Sequence, residues 1–211
     1  MAKRELRGGI GRLEAFSDAV LAIVLTLLVL DLLPKSAQSP AQLLGDWPTY
    51  LAFLAAFLTI GITWLNHNQS ISRVSTANPV VLVLNLGILL GATLVPWPTA
   101  LVAAALQRGN RADQFAAIVV FAVVTVVISI PWLALDLYLV RHPHLLESAD
   151  DAKWMLGHAR ISVGTIVGGA LSIVIAIWSP LAALLLYLIV SAVFVAVALR
   201  ERVVGKQSSG A

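Results

Sequence analysis

The sequence contains no cysteine, which excludes disulfides, thiol nucleophiles and cysteine metal ligands together. Charge is scarce as well: Asp, Glu, Lys and Arg make up 12% of the 211 residues, against roughly a quarter in an ordinary soluble domain. A soluble globule needs a polar skin, and a chain that is 59% hydrophobic with a mean hydropathy of +0.91 cannot supply one. Its surface must face lipid. The chain also lacks the alternating segments of about ten residues that mark transmembrane strands. Its apolar stretches instead approach the roughly 20 residues of a bilayer helix. A β-barrel is excluded, and the fold class is an all-α integral membrane protein. Neither HExxH, nor a paired-histidine helix, nor a nucleophile, base and orienter at workable spacing occurs. No metal site, no cofactor and no enzyme are expected.

Six spans can be read, at about residues 13–33, 49–65, 80–106, 115–140, 161–178 and 181–199. Between them lie a Ser/Pro/Gln loop (34–48), a short polar turn (107–113), a charged linker (142–160) with room for one extra helix, and a break at Ser179-Pro180. Six spans put both termini on one side, which then carries eleven of the fourteen Lys and Arg residues; the other side keeps Lys35, Arg108 and Arg111. The positive-inside rule makes the termini-bearing side cytoplasmic. The net charge of +3 is thereby accounted for by orientation, without a nucleic-acid partner. No internal repeat is found. The economical reading is one domain over 1–211, multi-pass in the cell membrane, with span one retained because Glu14 and Asp18 interrupt any signal-peptide pattern.

Span one is unusual. Its uncharged centre, residues 19–30, is bracketed by Asp18 and Asp31 and is too short to cross hydrocarbon alone. On a helical wheel Ile23, Leu27 and Leu30 form an aliphatic stripe roughly 120–180° from Asp18, with Thr26 at its margin near ~80°. The carboxylate and the stripe therefore cannot share one axis. Asp18 is expected to turn inward as a strut and Asp31 to lie at an interface. Asn66, His67, Asn68, Asn85 and Arg12 are available to receive the strut, since buried polar groups in lipid need partners. His67 is read as a satisfied interface histidine rather than a proton relay, and His142, His144 and His158 fall in the charged linker. Gly164 and Gly168 form a GxxxG whose ordinary use is close helix packing. Pro96, Pro98 and Pro131 are potential kinks, and Trp64, Trp97, Trp132 and Trp178 mark interfaces and packing.

Arg12-Leu-Glu-Ala-Phe16-Ser17-Asp18, followed by Ala19-Val-Leu-Ala-Ile23 and Thr26-Leu-Leu-Val-Leu30-Asp31, resembles the first-helix RxxxFSD signature of the transmembrane protein 175 family of potassium channels, prokaryotic branch. Trp64-Leu-Asn66-His67 resembles the family's second-helix ending. Asn85 followed by Pro96-Trp97-Pro98-Thr99 resembles its third-helix pattern. The likeness covers about the first half of the chain, with Asn68 where a second histidine is usual and Trp97 where phenylalanine is usual. The resemblance implies a passive, potassium-selective channel without a TVGYG carbonyl filter, in which first helices from four copies surround the pore. Ile23, Leu27 and Leu30 would then stack as aliphatic gate rings, Thr26 could add a selectivity layer, and Arg12, Phe16, Ser17, Asp18, His67 and Asn85 would form the structural polar network. Potassium would be the permeant ion and the lipid bilayer the surrounding partner. The other reading is a secondary transporter coupled to protons or sodium through Asp18 or Asp136.

Overall fold

A computed structural model of the chain describes residues 2–32, 39–187 and 189. All regular structure among them is helical: α1 (Ala2–Leu27), a 3₁₀ turn (Leu28–Leu32), α2 (Pro40–Gly45), α3 (Trp47–Ile71), α4 (Pro79–Leu94), α5 (Pro96–Arg108), α6 (Arg111–Arg141), a second 3₁₀ turn (Pro143–Leu145) and α7 (Ala149–Trp178). Five segments are long and apolar enough to cross a bilayer: Gly9–Leu30, Trp47–Ile71, Pro79–Arg108, Arg111–Arg141 and Ala149–Trp178. They correspond to the first five expected spans. After a break at Ser179, residues 180–187 are helical again; most of the sixth expected span (181–199) lies outside the described residues, as do Lys35 and the Ser/Gly tail.

Local chemistry sets the ends of these helices. Asn78, just before Pro79, accepts a hydrogen bond from the Val81 amide and starts α4. Gly109 closes α5 at φ +70°, a conformation that glycine adopts without steric cost, and Asn110 then caps α6 through the Ala112 amide. The third span is two helices, because Pro96 brings no N–H and the ladder is interrupted at Val95. Pro131 is held inside an unbroken α6.

Three boundaries differ from the sequence reading. The loop 34–48 contains α2, which Ser39 and Gln42 start with a reciprocal capping box. The second span runs on to Ile71, so Asn66, His67 and Asn68 sit within α3 instead of ending it. The charged linker is mostly helix: Ser148 and Asp151 form a capping box that starts α7 a full three turns before the apolar segment, and His158 is carried into the bundle. Charge marks a linker there, but Asp150, Lys153 and Arg160 are exposed positions of a continuous helix, and half-buried Asp151 pairs with Arg73 at 3.5 Å.

α6 packs on α4, α5 and α7; α3 packs on α5; α1 rests on α3 and α4. One apolar cluster joins Leu21, Val24 and Leu28 to Ala56, Ile60, Leu89 and Ala92, fastening α1 to its two neighbours. α4 and α6 approach closely through Gly87 and Gly91, where an added Cβ would lie 3.1 Å from Pro131 and 2.9 Å from Ile128. This Gly87-Ile-Leu-Leu-Gly91 pair is the GxxxG that serves helix packing. At Gly164 and Gly168, expected to do so, an added Cβ would meet nothing within 4 Å. Many large apolar side chains, among them Val83, Leu90, Ile130, Leu171 and Ile177, face outward, as expected of a lipid-facing surface.

Candidate functional site

The site is built on α1, and the packing of that helix gives it two unlike faces. Ile10, Leu13, Ser17, Leu21, Val24 and Leu28 are buried against α3 and α4. They recur at helical spacing and define the inner face. Ile23, Leu27 and Leu30 lie opposite, 57%, 52% and 54% exposed, with Thr26 and Phe16 beside them. An aliphatic face left open by its own chain must meet lipid or another protein surface. The helix tightens after Leu27 into the 3₁₀ turn Leu28–Leu32. At three residues per turn, Leu30 falls directly above Leu27, which makes the stripe straighter than the uniform α-wheel assumes.

Ser17 is the polar member of the inner face and is fully buried. Lipid offers it no water, so its hydroxyl requires a protein partner. Asn85 of α4 supplies one, its Nδ2 donating to Ser17 Oγ at 3.0 Å. The Asn85 Oδ1 lies 2.6 Å from His67 Nε2 of α3. An amide oxygen only accepts, so Nε2 carries the proton and the tautomer of His67 is set. Three helices thus meet at one buried chain of hydrogen bonds, Ser17 to Asn85 to His67. Trp132 of α6 closes this chain from the side, edge-on to His67 with ring centroids 6.2 Å apart.

Asp18 takes a different partner from those expected. It is exposed on the single chain, and its Oδ1 accepts a hydrogen bond from Trp64 Nε1 at 2.9 Å. Trp64 and His67 are one turn apart on α3; Trp64 holds Asp18 directly, and His67 reaches Ser17 only through Asn85 of α4. Arg12 and Phe16 are exposed and stand apart from the buried chain of bonds. Asn66 turns to the other side of α3, where it lines a cavity between α3, α6 and α7. The side chain of Asp31 is outside the described residues. Asp18, expected to turn inward, stays exposed at the edge of the packed face, because a wheel of one helix carries no information about the tryptophan on its neighbour.

One polar pair escaped the sequence reading altogether. Asp136, considered only as a transporter coupling site, lies 2.8 Å through Oδ2 from His158 Nδ1, and both are buried. Reading 142–160 as a linker placed His158 outside the bundle and hid the pair. A Trp154-to-His158 spacing of four, one helical turn, was the signal that this stretch is helical and faces inward; the two rings are stacked with centroids 5.2 Å apart. Among the described residues, no group of three or more His, Asp or Glu side chains is placed to hold a metal ion.

The family model described as endosomal/lysosomal potassium channel TMEM175 matches residues 12–96. A Streptomyces collinus protein named as a potassium channel is 43% identical over 146 residues, 67% of this chain and 70% of that protein. A Chamaesiphon minutus protein with the same designation is 41% identical over 99 residues, 44% of this chain and 49% of the other, so the match spans about half that relative. The backbone likeness extends further than the sequence likeness. The crystal structure of a lysosomal potassium-selective channel TMEM175 homolog from Chamaesiphon minutus superposes with a TM-score of 0.75 at 28% identity, over 90% of this chain and 98% of that one.

Proposed function

This chain belongs to the TMEM175 family, a channel family and not an enzyme family, and on that premise we propose that it is a potassium channel whose ion path is lined by α1. The observation that carries the reading is the two-faced packing of α1. One face is locked to α3 and α4, while the aliphatic face of Ile23, Leu27 and Leu30 is left open. A second copy of the same face is its natural complement. Four copies around one axis would enclose a pore and remove the apolar stripe from both lipid and bulk water. In this reading the chain is one domain over 1–211 with six spans and both termini cytoplasmic, assembled as a homotetramer in the cell membrane.

Rings of Ile23, Leu27 and Leu30 would act as the gate. A narrow aliphatic neck expels water, and an ion stripped of its hydration there finds no replacement ligand. Widening the neck rehydrates it and permits flux. The column formed by Leu27 and Leu30 in the 3₁₀ turn favours such stacked rings. Thr26 supports a selectivity layer: its hydroxyl donates to the Ile23 carbonyl at 2.8 Å, so the remaining lone pairs are free to face a cation. No TVGYG sequence occurs in the chain; selection would rest on side-chain oxygens and neck diameter rather than on a carbonyl filter. Ser17, Asn85 and His67, with Asp18 on Trp64, would hold α1 at the rotation that keeps the stripe on the axis, and Arg12 and Phe16 would meet neighbouring copies.

The test is flux. Purified protein in liposomes should carry a passive current whose reversal potential follows an imposed potassium gradient, with sodium passing less readily. Saturating, strictly coupled exchange of potassium for protons or sodium would replace the channel by a transporter.

A further inference from the structure

Away from α1, a partly open cavity of about 170 Å³ lies between α3, α5, α6, α7 and the residues Leu186 and Tyr187 that follow. Its walls are largely aliphatic, yet polar groups converge on it. Ser162, 6% exposed, lines the cavity, and its hydroxyl has no hydrogen-bond partner among the described residues. Asn66 of α3 lines the same space. The hydroxyls of Thr63, Thr125 and Ser129 donate to carbonyls one turn back, at 2.8 to 2.9 Å, leaving their oxygens free to accept. His158, 5% exposed, sits at one end, one turn before Ser162 on α7. It spends Nδ1 on Asp136, which leaves Nε2 for the cavity. Behind it the other carboxylate oxygen of Asp136, Oδ1, is buried with no partner. Gly164 and Gly168 contribute space: an added Cβ at either would meet nothing within 4 Å.

We propose that this cavity is a hydrated proton-binding site, in which the Asp136–His158 pair exchanges a proton with cavity water at a place separate from the ion path. Unpartnered polar side chains within a bilayer require water, and the space accommodates several molecules, each needing roughly 10 to 15 Å³. The proton moves between a cavity water and the Asp136–His158 pair, and the 2.8 Å contact of His158 Nδ1 with Asp136 Oδ2 holds the ring in place. The surroundings leave this task to the pair. From α6 the ring faces Asp136 and Trp132, and from α7 the stacked Trp154. The guanidinium of Arg73 lies on Trp154 at 3.9 Å and pairs with Asp151 at 3.5 Å. α3 and α5 bring only neutral groups to the cavity wall, and Tyr187 is its other titratable side chain. Trp132 stands edge-on to both His158 and His67, 5.3 and 6.2 Å between centroids, so the pair abuts the residues that hold α1.

The proposal does not depend on ion conduction, and its test does not use flux. The sequence has four histidines, so ¹⁵N-histidine labelling of the full chain in nanodiscs gives few signals, and His158→Gln identifies the relevant one. In the unmutated protein the His158 nitrogen signals should differ between acidic and alkaline buffer, and Asp136→Asn should change that response. Water access is read separately. In this cysteine-free chain Ser162→Cys introduces the sole thiol, and a water-soluble methanethiosulfonate ethylammonium reagent should label it. His158 signals that are the same in acidic and alkaline buffer, or a Ser162→Cys thiol inert while an exposed Ala149→Cys control reacts, overturn the proposal. Should Asp136→Asn fail to fold, the unmutated titration and the Ser162→Cys labelling still decide.

Discussion

Replacing Asn85 by leucine removes the residue on which the attachment of α1 converges. Leucine keeps the branched shape but is the larger side chain, so overpacking at this buried site adds to the loss of the bonds to Ser17 Oγ at 3.0 Å and to His67 Nε2 at 2.6 Å. Hydrogen bonds between membrane helices contribute about 0.6 kcal/mol on average and up to about 1.7. Ser17 and His67 are buried and find no water once orphaned, which places the loss toward the upper end for each bond. The expected destabilisation is about 3 kcal/mol, roughly a 150-fold fall in the ratio of folded to unfolded protein. Reversible unfolding in mixed dodecyl sulfate micelles, followed by the fluorescence of the six tryptophans, measures it. Ser17→Ala should cost less alone and almost nothing in the Asn85→Leu background, giving a coupling of at least about 0.5 kcal/mol. A shift within about 0.3 kcal/mol for Asn85→Leu, or strict additivity of the two changes, would refute the claim that this chain of bonds fixes α1.

Ile23→Asn should hydrate the proposed neck and raise potassium flux in liposomes, with smaller increases for Leu27→Asn and Leu30→Asn; unchanged flux in all three removes the stripe from the ion path. Asp18→Asn keeps an acceptor for Trp64 Nε1, whereas Asp18→Ala does not; the alanine variant should lose about 1 kcal/mol, equal to the loss from Trp64→Phe and not additive with it. Potassium over sodium preference should stay as it is in all three variants, and normal stability with lost preference would put Asp18 on the ion path. Gly91→Ala must push α4 from α6, because the new Cβ would lie 2.9 to 3.2 Å from Ile128 side-chain atoms, and should cost about 1–3 kcal/mol. Gly164→Ala points into open space and should leave the unfolding midpoint unchanged, a contrast that equal effects in the two variants would erase.

Composition and span length by themselves determined that this is an all-helical membrane protein, because apolar bulk and helix length are properties of the chain that no neighbour alters. The helical wheel set the stripe of Ile23, Leu27 and Leu30 apart from Asp18, and the RxxxFSD run pointed to the family that the comparisons bear out, but the buried face of Ser17, Leu21 and Val24 came from the packing of α1. Partnership was another matter. That Asp18 meets Trp64, that Asn66 and His67 look to opposite sides of α3, and that Gly87 and Gly91 rather than Gly164 and Gly168 seat a neighbouring helix all depend on which helices touch and at what rotation. Each pairing joins residues far apart in the chain, and a single helix repeats its polar and small residues on several faces. His158 is the clearest case. Its charged neighbours marked a linker, but they belong to a continuous α7, and only the packing of that helix on α6 brings the imidazole to Asp136. Local spacing specifies which face of a helix can be buried; contacts between helices decide what it is buried against.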